Sequence, residues 1–548
     1  MAGRIPLLVA LAILGFGLVA CQPKTAQRGP CPAGQRCLEF GNSVDPTTLD
    51  PQKATAVNEA TIIRELFDGM FTDGPNGAPV PGVAERWETS PDGLVWTFHM
   101  RREFWSDGEP VTARDFVFAY QRMLDPKSAS EYAYLLYVLK NAAAVNAGNA
   151  PLEAVGARAI DDHTLQLTLD HPAPYLPQLL KHQAFYPIPE HVVRRWGDAW
   201  VDPSHLVGNG AYVLTQSRLG DLIRVVRNRR FVGADKVCFD QVTFYPTNDA
   251  ITAERRVLRG ELDVNAAIAT NRVPHLRSLP QSANFVRTSP YLSSYYLIFN
   301  QHDPGPLKDV RVRLALSMAI DRDFIVDRVL RAGRASTSFV PPNVAGYVPA
   351  AERPHPVWAE WPLLRRQAAA RQLLADAGYA GKRPKFQLKT SNLQSALIQA
   401  VQADFRDIGV DLNLRQEDGI IMFQSYRTRD FQLGFAGWIA DFNDPLTFLG
   451  LMKSDTGAQN YGDYRSAAYD ALLDQADHEP DGAKRARLLA RAEQMMLNVA
   501  NIAPIYQSVS TNLVSPQITG WVDNESDVHP IRYLCRNAAA LARPVPPP

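Results

Sequence analysis

The chain has 548 residues, of which 46% are hydrophobic and 21% are charged, so it is long enough for two to four globular domains. Its 57 basic and 57 acidic residues give a formal net charge of zero. This balance argues against nucleic acid or a strongly charged membrane surface as the main partner.

The N-terminus is typical of an export signal that ends in a lipidation site. The apolar run over 7–19 is shorter than the roughly 20 apolar residues of a membrane span. It leads into Leu18-Val19-Ala20-Cys21, which resembles a bacterial lipobox; the alternative is an ordinary signal peptide with an incidental cysteine. We expect residues 1–20 to be removed and Cys21 to be lipidated, with 21–37 forming the anchor and a flexible tether.

Four further cysteines follow Cys21, namely Cys31, Cys37, Cys238 and Cys535. In an exported chain an even number permits two disulfides, with three possible connectivities. Cys31 with Cys37 is the locally easiest pair and would leave Cys238 to meet Cys535. The spacing of these cysteines does not favour a metal site, and we expect no cofactor.

In the first half of the chain, strand patterns alternate with a helix. A hairpin is predicted over 84–100, with its turn at Ser90-Pro91-Asp92-Gly93, and a second over 211–228, turning at Gly220-Asp221. Thr112-Ala113-Arg114-Asp115 indicates a helix start that resembles a capping box. Leu165, Leu167 and Leu169 alternate with polar residues, as in a half-buried strand.

The second half of the chain is more helical. Apolar spacing predicts six helices and one strand: helices over 309–319, 322–330, 363–377, 393–407, 466–477 and 482–498, and a strand over 410–414. An apolar segment follows around 502–506, and the Pro-rich tail 541–548 is a poor candidate for packed structure. The class is mixed α and β with several lobes.

Motifs for catalysis are missing from the sequence. There is no H-E-x-x-H, no G-x-S-x-G and no G-x-x-x-x-G-K-[ST], and Gly208-Asn209-Gly210 lacks the third glycine of a dinucleotide fingerprint. A tight turn before a strand is the better interpretation of those glycines. We therefore expect a protein that is not an enzyme; a peptidase or esterase is the alternative from another class.

An ordered set of segments from about residue 38 to 535 resembles the oligopeptide-binding proteins of bacterial ABC importers, extracellular solute-binding protein family 5. The segments that carry the resemblance are Leu49-Asp50-Pro51-Gln52-Lys53, Leu66-Phe67-Asp68-Gly69-Met70, Pro81-Gly82-Val83-Ala84-Glu85-Arg86-Trp87, Trp96-Thr97-Phe98-His99-Met100-Arg101, Trp105-Ser106-Asp107-Gly108-Glu109-Pro110-Val111-Thr112-Ala113-Arg114-Asp115-Phe116, Asn209-Gly210-Ala211-Tyr212, Val310-Arg311-Val312-Arg313-Leu314-Ala315, Ala319-Ile320-Asp321-Arg322-Asp323 and Gly437-Trp438-Ile439-Ala440-Asp441-Phe442-Asn443-Asp444-Pro445.

The resemblance implies an α/β, two-lobed periplasmic-binding-protein fold with a hinge and an extra third domain. By analogy, lobe I takes 38–67, 196–290 and 508–540, and lobe III takes 291–507. The extra domain II takes 68–195.

The same resemblance assigns a peptide site. Asp441 is the expected partner of the peptide's N-terminal ammonium, and Trp438 is expected to line a side-chain pocket. The remaining assignments are main-chain groups of Gly437 and Ile439, the early loop Thr55-Ala56-Val57, and aromatic pocket positions at Tyr132 and Tyr506.

The chain departs from the family where short peptides are held by their C-terminal carboxylate. Phe435 and Gln394 stand at positions that are basic or histidine in such relatives, and Thr55 replaces a frequent acidic residue. Arg427 matches a basic position and could serve instead. Peptide length and charge preference are thus left open.

The expected function is a lipid-anchored, extracytoplasmic protein of the cell envelope that delivers peptides with a free N-terminus to an ABC permease and its ATPase. It is expected to act as a monomer, to touch the membrane only through its lipid and to bind no nucleic acid. The alternatives within the fold are carriers of dipeptides, cell-wall peptides or a metal or haem complex. An envelope chaperone or sensor is a further alternative.

Overall fold

The structure is a computed structural model that describes residues 31–302, 305–391 and 395–537. The predicted signal peptide, the predicted lipidation site Cys21, Gln394 and the Pro-rich tail lie outside the described residues. Three sheets with covering helices give the described chain an α/β architecture.

The largest sheet has seven strands drawn from widely separated parts of the chain. In spatial order they are Val286–Pro290, Val509–Val514, Val264–Asn265, Cys37–Gly41, Gln241–Tyr245, Leu222–Arg227 and Tyr212–Arg218. Cys37–Gly41 runs parallel to both of its neighbours, and the other pairs are antiparallel. The fully buried pattern of Cys37–Gly41 fits its central place in the sheet.

A six-stranded sheet comes mainly from the second half of the chain. Its order is Arg334–Ala335, Ile502–Gln507, Ser293–Phe299, Leu433–Ile439, Lys385–Ser391 and Asp411–Glu417. Two separate hydrophobic clusters include side chains of its strands, so both faces of this sheet are covered.

The third sheet is antiparallel and has four strands in the order Ala84–Thr89, Val95–Met100, Thr164–Thr168 and Ala157–Asp161. It shares one large hydrophobic cluster with the seven-stranded sheet. Two small hairpin-like pairs complete the strands: Phe71–Asp73 with Pro79–Pro81, and Ile518–Thr519 with Cys535–Arg536.

The α-helices cover these sheets. Their bounds are Val57–Leu66, Ala113–Leu124, Ala142–Asn146, Leu176–Leu180, Glu190–Trp196, Ala250–Leu258, Val273–Ser278, Val310–Ala319, Arg322–Phe324, Leu363–Leu374, Ser395–Asp407, Gly419–Arg427, Leu446–Leu449, Ala467–Asp477 and Gly482–Asn498.

Most elements predicted from the pattern are present. Both hairpins form, and the backbone of Thr112 donates to the Asp115 carboxylate at 2.8 Å, as a capping box requires. The predicted helix 322–330 becomes π-helical from Ile325, and the helix predicted over 363–377 does so from Ala375. The predicted strand 410–414 runs instead over Asp411–Glu417.

The glycines at 208 and 210 have a different role from the predicted turn. A Cβ on Gly208 would lie 2.1 Å from the carbonyl oxygen of Leu66, and one on Gly210 would lie 2.5 Å from the backbone of the same residue. These positions must therefore be glycine because the backbone packs directly on the end of the helix Val57–Leu66.

Two disulfides join the four described cysteines. Cys31 pairs with Cys37 and Cys238 pairs with Cys535, a link that spans 297 residues of sequence. Cys37 is also the first, buried residue of a strand.

The chain crosses between the seven- and six-stranded sheets at two adjacent places. Val286–Pro290 leads directly into Ser293–Phe299, and Ile502–Gln507 leads into Val509–Val514. The amide of Tyr291 donates to the carbonyl of Ser508 at 3.3 Å, so the two crossings are bonded to each other.

Within the three described ranges, no helix combines the length and apolar character that a membrane crossing needs. In the same residues, no group of three histidine, cysteine or acidic side chains is arranged to hold a metal ion.

Candidate functional site

A cavity of about 360 Å³ lies between the segments that build the six-stranded sheet, the helix Val57–Leu66 and the region that contains the four-stranded sheet. Its lining combines hydrogen-bonding, charged and aromatic side chains. The lining residues are Thr55, Ala56, Val57, Ala60, Arg64, Asp73, Tyr132, Lys181, His182, Gln183, Tyr291, Tyr295, Phe423, Gly437, Trp438, Ile439, Ala440, Asp441, Phe442, Ser526, Asp527 and Val528.

Most residues that the resemblance assigns to the site come together here. Asp441, Trp438, Gly437 and Ile439 line the cavity from one side, at and just after the end of the strand Leu433–Ile439. Thr55, Ala56 and Val57 line it from the loop that starts the helix Val57–Leu66, and Tyr132 lines it from a third segment.

The carboxylate of Asp441 is held by two tyrosines. The hydroxyl of Tyr132 donates to Oδ1 at 2.9 Å and that of Tyr134 donates to Oδ2 at 3.2 Å. Burial raises the pKa of Asp441 to about 7, and these two hydrogen bonds only partly oppose the shift. No cation from the described residues compensates it. The site therefore has a desolvated carboxylate that a ligand's positive charge would stabilise.

The strand Leu433–Ile439 presents an open edge to the cavity. It pairs along its whole length with Ser293–Phe299, but within the described chain its other neighbour, Lys385–Ser391, reaches only Leu433 and Gly434. The amide and the carbonyl of Phe435 both bond to the Tyr426 hydroxyl, on the side away from Ser293–Phe299. In an antiparallel pair alternate residues point to opposite edges, so Gly437 and Ile439 point to the same open edge as Phe435.

A glycine is needed at position 437 because an aromatic ring lies against it. A Cβ there would lie 2.3–2.7 Å from ring atoms of Tyr295. Tyr295 lines the cavity and stacks on Tyr506 with ring centroids 4.6 Å apart. The cavity wall thus depends on close contact between this ring and the strand backbone.

The early loop has fewer unused main-chain groups than the prediction implied. The amides of Thr55 and Ala56 both donate to one carboxylate oxygen of Glu59, at 2.9 and 3.0 Å. Glu59 therefore caps the helix Val57–Leu66 and shapes the loop. The loop offers a ligand its exposed side chains, such as Val57, and its remaining carbonyls.

Charged groups also line the cavity near Tyr132. Asp73 binds Lys181 Nζ at 2.7 Å and Arg64 Nε at 3.1 Å, and all three side chains are mostly buried. The ring of His182 lies edge-on to Tyr132, with centroids 5.1 Å apart. Burial, reinforced by Arg64, lowers the pKa of His182 to about 3, so this imidazole is neutral.

Three positions that the resemblance singles out are not among the residues that line the cavity. Tyr506 is 8% exposed and belongs to the hydrophobic core behind Tyr295. Arg427 is engaged by Glu131 at 2.8 Å, and Phe435 is fully buried in the core. The assignments of Tyr506 to a pocket and of Arg427 to a ligand carboxylate therefore stay predictions.

Several lining residues were missed from the sequence. Tyr134, which is not a lining residue but holds the Asp441 carboxylate, could have been found because it follows Tyr132 by two residues. Arg64, Lys181 and Asp527 have no local signal, since each lies in an ordinary helix, turn or loop and reaches the cavity only through the tertiary fold.

Comparison with known proteins places the chain among solute-binding proteins. A family model described as bacterial extracellular solute-binding proteins, family 5 Middle, matches residues 78–460. The periplasmic oligopeptide-binding protein OppA of Salmonella typhimurium is 36% identical over 532 residues, which cover 94% of this chain and 96% of the relative. The periplasmic murein peptide-binding protein MppA of Escherichia coli is 36% identical, with 88% and 90% covered.

Solved structures share the fold over nearly their whole length. The Haemophilus influenzae OppA complex with the peptide RPPGFSPFR has a TM-score of 0.84 at 29% identity, covering 92% of this chain and 99% of that one. Escherichia coli MppA has a TM-score of 0.85 at 35% identity, with 92% and 99% covered. Its unliganded open form reaches only 0.71 at the same identity, with 92% and 98% covered.

The described structure therefore superposes less well on that open form than on the other two structures. The α/β periplasmic-binding-protein fold expected from the sequence is confirmed by these matches. By both the family model and the relatives, this chain belongs to family 5 of the bacterial extracellular solute-binding proteins, a family of carriers and not of enzymes.

Proposed function

We propose that the protein captures peptides with a free N-terminus between two lobes and delivers them to the permease and ATPase of an ABC importer. In this proposal residues 38–67, 196–290 and 508–540 form one lobe, 291–507 form the other, and 68–195 form the extra domain. The protein is monomeric, extracytoplasmic and held to the membrane by a lipid on Cys21.

The observation that carries the proposal is the desolvated carboxylate of Asp441 beside an open strand edge. The ammonium of a peptide would supply the cation that the carboxylate lacks, and charge-assisted hydrogen bonds of this kind are the strong ones. The peptide main chain would add to Gly437 and Ile439 as an extra strand, which gives affinity with little dependence on side chains.

The cycle follows from contacts on both sides of the cavity. A ligand that touches both lobes favours the closed form over the open one, and the closed form is the one that docks on the permease. Closure also removes water from Asp441, which strengthens its attraction for the ammonium.

The test is calorimetric titration of residues 22–548, without the lipid, with peptides of three to eight residues and with the same peptides N-acetylated. Acetylation removes the ammonium, so we expect it to abolish binding. Asp441→Asn should weaken binding of the unmodified peptides by about a hundredfold or more, the ~3–5 kcal/mol of an unpaired buried charge. Equal binding of both peptide forms would contradict the role of Asp441.

A non-peptide ligand is the second candidate. The probable deoxycholate-binding periplasmic protein YgiS of Escherichia coli is 35% identical over 497 residues, with 89% of this chain and 91% of the relative covered. An anionic ligand would meet the Asp441 carboxylate unfavourably, which favours a peptide. Absence of heat with every peptide, together with binding of deoxycholate, would reverse that preference.

The remaining alternatives have simple readouts. Release of amino acids from generic peptides would reveal a peptidase, and loss of envelope protein folding on deletion would indicate a chaperone. Dipeptides, cell-wall peptides and metal or haem complexes are distinguished from longer peptides by including them in the same titration.

A further inference from the structure

We propose that Arg64 and Lys181 form an anion site in the cavity, which selects peptides that carry a carboxylate close to their N-terminus. This inference rests on the proposed peptide function and names the class of peptide that it favours. The shared chemistry is a carboxylate, either the C-terminus of a very short peptide or an acidic side chain.

The first step is the charge balance of the group. Arg64 and Lys181 are 18% and 7% exposed, and Asp73, which is 3% exposed, bridges them. Among the described residues Asp73 is the one carboxylate paired with either cation. Two cations thus share one carboxylate, and Asp527, a second carboxylate on the cavity wall, forms no ion pair with either of them among the described residues. A ligand's anion would pair with the cation charge that Asp73 alone does not balance.

The second step is the use of hydrogen-bond donors. Lys181 Nζ donates to Asp73 at 2.7 Å and to the carbonyl of Gly77 at 2.5 Å, while Arg64 Nε lies 3.1 Å from Asp73 in an ion pair without a hydrogen bond. The terminal nitrogens of a guanidinium form a fork that matches the two oxygens of a carboxylate. Arg64 lines the cavity beside Asp73, and in this inference its terminal nitrogens receive the carboxylate of the ligand.

The third step is the position of the group relative to Asp441. Tyr132 bonds Asp441 through its hydroxyl, its ring contacts His182, and His182 follows Lys181 in the chain. Arg64, Lys181 and Asp441 line the same cavity of about 360 Å³. An extended peptide advances ~3.3 Å per residue, so the ligand carboxylate belongs to one of its first few residues.

The site would also replace the basic positions that hold the C-terminal carboxylate of short peptides in relatives. Phe435 is buried in the core and Arg427 is paired with Glu131, so neither position provides a cation to the cavity. Arg64 and Lys181 supply positive charge from the opposite wall. A purely structural role, in which Lys181 only ties its turn to Asp73 and Gly77, would affect stability without any preference among ligands.

The test uses two matched pairs of tripeptides in calorimetric titrations of the full chain without its lipid. Ala-Glu-Ala is compared with Ala-Gln-Ala, and Ala-Ala-Ala with its C-terminal amide. We expect the charged member of at least one pair to bind at least about tenfold more tightly, as a charge-assisted contact warrants. A gain in the first pair identifies a side-chain carboxylate, and a gain in the second identifies the C-terminus.

Two variants show whether the selectivity comes from this group. In Arg64→Gln and in Lys181→Gln we expect the preference for the charged peptide to fall at least severalfold. Each variant keeps one cation paired with Asp73, and thermal unfolding checks that the variant is folded. Lys181→Gln alone suffices if Arg64→Gln does not fold. Arg194→Gln, which removes an exposed arginine paired with Glu190 in a surface helix, should keep the preference.

The outcomes separate this inference from the proposed function. Tight binding of all four peptides without a preference, or a preference that survives both substitutions, overturns the inference and leaves peptide capture standing. Absence of binding by all peptides overturns peptide capture, and the inference falls with it.

Discussion

Asp441 lies between the hydroxyls of Tyr132 and Tyr134, where burial keeps its pKa at about 7. A carboxylate with so high a pKa is partly protonated at neutral pH, and the ammonium of a ligand would favour its ionised form. Binding of such a ligand below pH 7 must therefore release a proton.

This release predicts a pH-dependent affinity. The pKa of Asp441 in the folded protein lies above its ordinary value of 3.8. The neutral carboxyl group therefore stabilises the ligand-free closed protein fully below pH 3.8, and this stabilisation is lost as the pH rises through 7. Affinity for a peptide with a free N-terminus should fall about tenfold per pH unit below 7. Titrations from pH 5 to 8 measure this.

The control for the pH series is Asp441→Asn, which cannot ionise and keeps an oxygen for the tyrosine hydroxyls. Its weak residual affinity should not vary with pH. A flat profile in the unaltered protein, or the same slope in the variant, would contradict the assignment of the titration to Asp441.

At the scale of single residues, the resemblance located Asp441 and Tyr132, and the structure brings them within hydrogen-bonding distance. The partners that determine the chemistry of the site were harder to predict. Lys181 meets Asp73 across 108 positions of sequence, and such a contact has no local pattern. For Tyr506, which is 8% exposed, the sequence could not tell a cavity position from a core position, because an aromatic residue in a strand has the same pattern in both.

The strand Leu433–Ile439 is the element on which the site depends most directly. Its contact with the Tyr295 ring requires the absence of a side chain at Gly437. Gly437→Ala should displace this ring or the strand edge, and we expect peptide affinity to fall by about 5- to 150-fold because overpacking costs ~1–3 kcal/mol. Titration with the best peptide of the library measures the change.

Gly419→Ala provides the matched control, since a Cβ there meets no atom within 4 Å. It should keep wild-type affinity and stability. If Gly437→Ala binds peptide as tightly as Gly419→Ala does, the strand edge does not form the peptide site in the way proposed.

Element patterns were more predictable from sequence than their assembly. The last two helices, Ala467–Asp477 and Gly482–Asn498, fall within one residue of the predicted bounds because their apolar spacing is regular. The strand Val264–Asn265 has only two residues and no period. It nevertheless lies inside the seven-stranded sheet, so the order of that sheet could not be read from the pattern.

At the scale of the whole molecule, the contacts across the cavity favour the closed arrangement. Glu131 binds Arg427 at 2.8 Å, and Tyr132 and Tyr134 both bind Asp441. One short segment thus makes three contacts to two residues on the other side of the cavity. The lower TM-score to the open form of MppA agrees with a closed arrangement.

We expect peptide binding to reduce the radius of gyration measured by small-angle X-ray scattering. Glu131→Gln should raise the value for the ligand-free protein and weaken peptide binding by at most about fivefold, because a partly exposed ion pair contributes ~0–1 kcal/mol. Glu190→Gln breaks an exposed pair within a single helix and should change neither quantity. An unchanged radius on saturation with peptide would contradict closure by the ligand.

The path of the chain through the seven-stranded sheet has a consequence for biogenesis. Val509–Val514 lies between Val286–Pro290 and Val264–Asn265, and Cys535 closes a disulfide to Cys238. An emerging polypeptide therefore lacks an interior strand of its seven-stranded sheet until almost all of the chain has been synthesised. The four-stranded sheet, whose strands all lie between residues 84 and 168, does not depend on this late segment. Every molecule that ends before residue 509 would instead have an incomplete seven-stranded sheet, and such a product is expected to be sensitive to proteases.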